Sequence, residues 1–265
     1  MLLNAVASAR RRYTVITDGL KLYLDAYNLD SYSGSGSTWN DLSNSGYGVT
    51  ITGPTWTVSG GRRYFEFDGV NDYMVGSSTT TIFDINTSGW TWSFWVNYVT
   101  TPNVLDTIMA TKLNNVSPSI QKLKFFDNRS EDGGGTGNGY ATGMNRASPG
   151  FATVTSVAST VPTGSWINLN ATFTYTGART GTFKIYKDGS ELVSEDFTVT
   201  VDWTTINSFL EPVFGAFSLN GTYLRFQNFQ LAEVLYYNRP LTNVEINKNY
   251  NVTKSKYGKS VNTNG

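Results

Sequence analysis

From Leu20 to Tyr237 apolar and polar side chains alternate in short runs of period two, and helical periodicity is nearly absent. In GLKLYLDA the alternation predicts Leu20, Leu22 and Leu24 on one face and Lys21, Tyr23 and Asp25 on the other. In NLNATFTYT the set Leu169, Ala171, Phe173 and Tyr175 alternates without a break against Asn170, Thr172 and Thr174. Strands with one buried and one wetted face follow from such patterns. WTWSFWVNYV departs from them: Trp92, Phe94, Val96 and Tyr98 share one face, yet Trp95 stands on the other, which predicts a strand covered on both sides by a second sheet or by loops. Asp188-Gly189, set between runs of strand formers, predicts a tight hairpin, and the next strand is expected to turn Phe197, Val199 and Val201 inward.

Two stretches break the period. Asp127 to Gly150 is too rich in glycine for regular structure and is expected to be a long surface loop. Pro240-Leu-Thr-Asn-Val-Glu245 carries a capping box, Thr242 with Glu245 three residues on, and predicts one short helix. The expected organisation is an N-terminal arm (1–17), a single β-sandwich (18–250) and a polar C-terminal tail (251–265). All-β domains of roughly 200–250 residues are common as one unit, so 265 residues call for no second domain.

Composition narrows the chemistry. With no histidine and no cysteine, the chain can build neither a Ser-His-Asp triad nor a thiolate or imidazole metal site nor a disulfide. The carboxylates Glu191, Glu195 and Asp196 flank a hairpin without the tight alternating spacing that glycosidases on such sandwiches use, so no enzyme is expected. Twenty basic residues balance twenty acidic ones, which removes the bulk field that would draw the chain to nucleic acid or anionic lipid. No apolar run reaches the ~18–20 residues of a membrane span. The basic cluster Arg10, Arg11 and Arg12 follows the apolar start instead of preceding it, so no secretion signal is read there.

Several residues are candidates for binding. Asp68, Asn71 and Asp72 bring hard oxygen ligands into one loop that would suit calcium, and no other cofactor is expected; the alternative, favoured because calcium takes about six to eight oxygens, is that they make turns. Trp39, Trp56 and Trp203 are expected mostly in the core. Tyr140, with Asp127 and Asn128, lies in the glycine-rich stretch and is the candidate for stacking on a sugar ring. Leu2 and Leu3 beside Arg10, Arg11 and Arg12 make the arm a candidate for docking to a partner.

Residues 64–73 (YFEFDGVNDY) resemble the FDG-x-x-DY stretch of laminin-G-like and concanavalin-A-like jelly rolls. Trp92 to Val96, Trp166 to Asn170, Tyr186 to Gly189 and Glu233 to Leu241 follow in that family's order. The resemblance implies an all-β, two-sheet antiparallel jelly-roll sandwich. Gly19 to Ala26, followed by Ser33 to Ser43, is similar to a variant found in virion proteins of tailed bacteriophages, with Asn44 standing where that variant usually has glycine. That similarity implies a non-catalytic capsid decoration or tail or fibre component, located in the virion, with other virion proteins and further copies of itself as partners. A carbohydrate-binding module or adhesin, with a cell-surface glycan as ligand, is the alternative.

Overall fold

The computed structural model describes residues 14–76, 88–101, 107–111, 122–127, 141–145, 152–155, 161–198, 211–219 and 221–260. Its strands are β1 (Leu20–Asp25), β2 (Thr38–Trp39), β3 (Val49–Thr52), β4 (Thr55–Ser59), β5 (Arg62–Asp68), β6 (Tyr73–Gly76), β7 (Gly89–Tyr98), β8 (Met109–Thr111) and β9 (Lys122–Asp127). There follow β10 (Ala141–Asn145), β11 (Ala152–Thr155), β12 (Trp166–Gly177), β13 (Thr180–Lys187), β14 (Ser190–Thr198), β15 (Pro212–Phe214), β16 (Phe217–Leu219), β17 (Thr222–Leu224) and β18 (Asn228–Tyr237). Helix α1 (Asn243–Thr253) and a 3-10 turn (Lys254–Tyr257) close the described chain. No helix among the described residues is long and apolar enough to cross a membrane.

Two antiparallel sheets face each other. The first has the order β14-β13-β12-β7-β18-β5-β4, with β1 also on β18, and the second the order β11-β10-β9-β8-β15-β6-β3-β2. One core joins them: Leu22, Leu24, Phe65, Trp92, Phe94 and Leu169 from the first sheet meet Trp39, Val49, Met74, Met109 and Phe214 from the second. The expected two-sheet antiparallel sandwich is the fold observed.

The alternation reads correctly in β12, where Leu169, Ala171 and Phe173 point inward, and in the β13–β14 hairpin, where Asp188 and Gly189 take φ 50° and 80°. It fails at Leu20. A register shift between Leu20 and Leu22 along β18 moves Leu20 off the inner face, and it packs outside with Leu235 and Ile246. The Asp127–Gly150 stretch is also not wholly loop: β10 pairs with β9 on one side and β11 on the other. Strand β14 ends at Thr198, so Val199 and Val201 lie outside the described residues. Asn44 adopts φ 70°, the left-handed conformation a glycine would supply.

Trp95 is covered on the outer face as its position required, but by helix and not by a sheet or loops. Its ring stacks on Tyr257 at 4.0 Å and on Tyr250 at 5.8 Å, and its indole N–H donates to Thr253 Oγ1 at 2.8 Å. Helix α1 starts at the predicted capping box: the Glu245 N–H donates to Thr242 Oγ1 at 3.3 Å, and the Thr242 N–H to Glu245 Oε2 at 2.9 Å. The Arg239 guanidinium grips Glu245 with two bonds, at 2.6 and 3.0 Å. The helix runs on through Thr253, and the polar residues after it, which read as a tail in sequence, form the 3-10 turn that buries Tyr257. Likewise the end of the arm lies on the sandwich: Val15 is buried, and the Ile16 N–H donates to Asn249 Oδ1 at 2.8 Å.

Candidate functional site

The outer face of the first sheet is half sealed and half open. Helix α1 and the segment leading into it seal one half, with Ile246 of the helix and Leu241 before its cap packed on Tyr186, Leu235 and Tyr237. Beyond the 3-10 turn the same face opens into a cleft of about 480 Å³. Its walls come from separate segments: the β4–β5 turn with Ser59, Gly60 and Arg62; Gly164, Ser165 and Trp166 at the start of β12; and Tyr257, Gly258 and Lys259. Asn97 and Gln230 also line it.

These side chains converge because their strands are neighbours. Asn97 and Gln230 are in register on β7 and β18, and Gln230 and Glu66 on β18 and β5. Their side chains form a ladder across the sheet: Asn97 Nδ2 donates to Gln230 Oε1 at 2.8 Å, Gln230 Nε2 to Glu66 Oε1 at 3.1 Å, and Thr57 Oγ1 to Glu66 Oε2 at 3.0 Å. Asn97 Oδ1 is buried and has no partner among the described residues, and the same holds for the Tyr257 hydroxyl and Arg62 Nε. Buried polar groups are nearly always bonded, and three such atoms are gathered around this one cleft. The Tyr64 and Trp166 rings, 5.4 Å apart, are largely buried and shape the walls rather than offering a face for stacking.

The wall made by the 3-10 turn is fixed by buried charge. Lys256 Nζ lies 2.7 Å from Asp25 Oδ2 and 3.1 Å from Glu233 Oε2, and both carboxylates are almost fully buried. Burial pushes the Glu233 carboxyl above the usual carboxylate range; the Lys256 ammonium pulls it back in part, and Asp25 pushes it further up. For Lys256 burial acts downward, but Glu233 and Asp25 outweigh it and hold the ammonium charged. The two acids are therefore occupied in anchoring the chain. Among the described residues no carboxylate lines the cleft itself, so it offers no pair for glycoside hydrolysis.

The loop picked out for calcium borders a second cleft, of about 420 Å³, which shares Gln230 with the first. Asp68 Oδ1 accepts from the N–H groups of Val70 and Asn71, at 2.8 and 3.3 Å, and Asp72 Oδ2 accepts from the Asp68 N–H at 2.9 Å. Asn71 is exposed. Burial raises the Asp72 carboxyl, against the bond from Asp68, so the site is shaped around its own backbone. One oxygen of each carboxylate is thus taken by the backbone of the loop itself, which is the turn arrangement. Asp68, Asn71 and Asp72 make a turn.

Of the other candidates, Trp39 is in the core and Trp56 packs against it. Asp127 ends β9. Asn128, Tyr140, Trp203, Leu2, Leu3, Arg10, Arg11 and Arg12 lie outside the described residues. The cleft was not foreseen in the sequence, since its residues come from five separated segments and none forms a local motif.

No protein-family model matches the chain, and no curated protein matches it. Solved structures do share its fold. The receptor-binding domain of botulinum neurotoxin type G is 15% identical with a TM-score of 0.56, over 89% of this chain and 52% of that one. A mutant of Trypanosoma rangeli sialidase displaying trans-sialidase activity is 17% identical with a TM-score of 0.62, over 93% and 35%. The binding domain of botulinum neurotoxin DC, solved in complex with SialylT, is 13% identical with a TM-score of 0.58, over 89% and 52%. The chain thus spans about half of the toxin domains and about a third of the sialidase. These likenesses show the fold, a two-sheet β-sandwich that the chain shares with toxin receptor-binding domains and a sialidase.

Proposed function

We propose that this domain is a non-catalytic saccharide-binding module whose ligand lies in the cleft between the 3-10 turn and the outer face of the first sheet. The observation that carries the reading is the amide floor: Asn97 and Gln230 are locked in line with Glu66, and the Asn97 side-chain carbonyl has no partner among the described residues. Fixed amides beside a polar cleft suit the paired donors and acceptors of sugar hydroxyls, and among the described residues no carboxylate pair lines the cleft to cleave a glycosidic bond. A glycan array probed with the full chain tests it. Asn97→Ala is expected to weaken any glycan bound by about tenfold or more. Binding that survives Asn97→Ala but is lost in Tyr140→Ala would move the site to the glycine-rich stretch.

A second reading rests on the resemblance of Gly19 to Ala26 and Ser33 to Ser43 to tailed-phage virion proteins. In it the module is displayed on a particle, as a capsid decoration or a tail or fibre part, and docks to other virion proteins or to its own copies through the segment holding Leu2, Leu3, Arg10, Arg11 and Arg12. Removal of residues 1–13 spares Val15 and its packing. The shortened protein should then fold but fail to enter particles, and normal incorporation would sink the idea.

A further inference from the structure

We infer that the saccharide recognised in this cleft is an acidic one, with a carboxylate or sulfate group held by Arg62; the inference rests on the binding reading above and specifies its ligand. Four cations stand near the 3-10 turn; Lys254 lies over the Tyr250 ring, and two others are already neutralised by carboxylates. Lys256 is held by Asp25 and Glu233, and Lys259 Nζ lies 3.0 Å from Asp188 Oδ2. The Arg62 side chain has no hydrogen bond or ion pair with any described residue, and its Nε is buried without a partner among them.

The position of the guanidinium supports a ligand role. It lies between two glycines in the left-handed conformation, Gly60 at φ 56° and Gly258 at φ 74°. A Cβ built on Gly258 would collide with Arg62 Nη2, and one on Gly60 would touch Nη1 at 3.6 Å. The guanidinium therefore packs closely on bare backbone at Gly258, and that contact holds its planar fork in place in the cleft wall. A guanidinium fork matches carboxylate and sulfate oxygens in that geometry, and the pair is stronger than a neutral hydrogen bond.

The charge along the cleft points the same way. Glu66, the nearest acid on β5, is four residues from Arg62, about 13 Å along an extended strand. Among the described residues the Arg62 end of the cleft therefore has no carboxylate paired with its guanidinium, in a chain whose net charge is zero. An acidic sugar unit would sit against Arg62, and its neutral hydroxyls would run along Asn97 and Gln230 toward Glu66.

The test compares lactose, sialyllactose, sulfated lactose and inorganic sulfate by calorimetry on the full chain. Both acidic sugars are expected to bind at least about tenfold more tightly than lactose, with the margin shrinking between about 50 and 500 mM NaCl. In Arg62→Gln the ratio of acidic to neutral affinity should fall to near one, and in Arg62→Lys part of it should remain; unfolding midpoints confirm that both variants fold. Equal binding of lactose and its acidic forms, or a preference that persists in Arg62→Gln, overturns the inference while leaving the module a neutral-sugar binder. Inorganic sulfate binding as tightly as sulfated lactose also overturns it, since the site would then read an anion and no sugar. Failure of every saccharide at millimolar concentration removes both this inference and the binding reading.

Discussion

Strand β18 runs under both halves of the outer face, and its two ends show how one sheet can be sealed at one end and open at the other. Toward Asn228 the outward residue is Gln230, part of the amide ladder. Toward Tyr237 the outward residues are Glu233, Leu235 and Tyr237, which lie under the C-terminal helical segment. The register against β7 shifts between Leu231 and Glu233, so Ala232 and Glu233 both face outward and the alternation changes parity there. The bulge is the border. On one side burial stabilises the fold; on the other polar groups are kept for a ligand.

If that division is right, substitutions in the sealed half should cost stability, and those in the open half should cost binding. The largest effect is expected for Lys256→Met, which leaves Asp25 and Glu233 buried without a counter-charge. About 3–5 kcal/mol should be lost in urea denaturation, with the cleft wall loosened as well. Ile246→Ala, under the helix, should cost about 2–4 kcal/mol by the same measurement.

Glu245→Gln should cost about 1–2 kcal/mol, and the cost should depend on pH. The bonds from Arg239 hold the Glu245 carboxyl down at about 2, against 4.5 ordinarily. A carboxyl lowered in the folded state stabilises it fully above the unfolded value. That contribution is lost as pH falls from about 4.5 toward 2, so wild type and variant should converge in acid. Asn97→Ala should have the smallest effect on stability, about 0.5–1 kcal/mol, while abolishing most glycan binding. A large loss of stability there, with binding intact, would erase the distinction between the two halves.

Much of the sealed half could be read in the sequence. Trp95 on the wrong face of β7 announced a cover, and Thr242 with Glu245 announced the helix that provides it. The bulges at Leu20 and at Glu233 could not be read, because each reverses parity only with respect to a partner strand. In β10 the glycine-rich surroundings hid a strand. The C-terminal residues look like solvent-exposed tail because a lysine among serines and asparagines carries no local sign of burial. Its partners Asp25 and Glu233 are 231 and 23 residues away. The open half was invisible for the same reason: Arg62, Asn97, Trp166, Gln230 and Tyr257 meet only once the sheet has formed.

The contact between Lys256 and Asp25 also sets an order in time. The first strand emerges from the ribosome early, yet the counter-charge for its last residue is 231 positions behind it. Until residue 256 is made, Asp25 and Glu233 have no ammonium between them, and the outer face over Trp95 has no cover. The nascent sandwich can pair its strands but cannot finish, so a chain cut short before the final turn is expected to be held by chaperones or degraded rather than released as a smaller working domain.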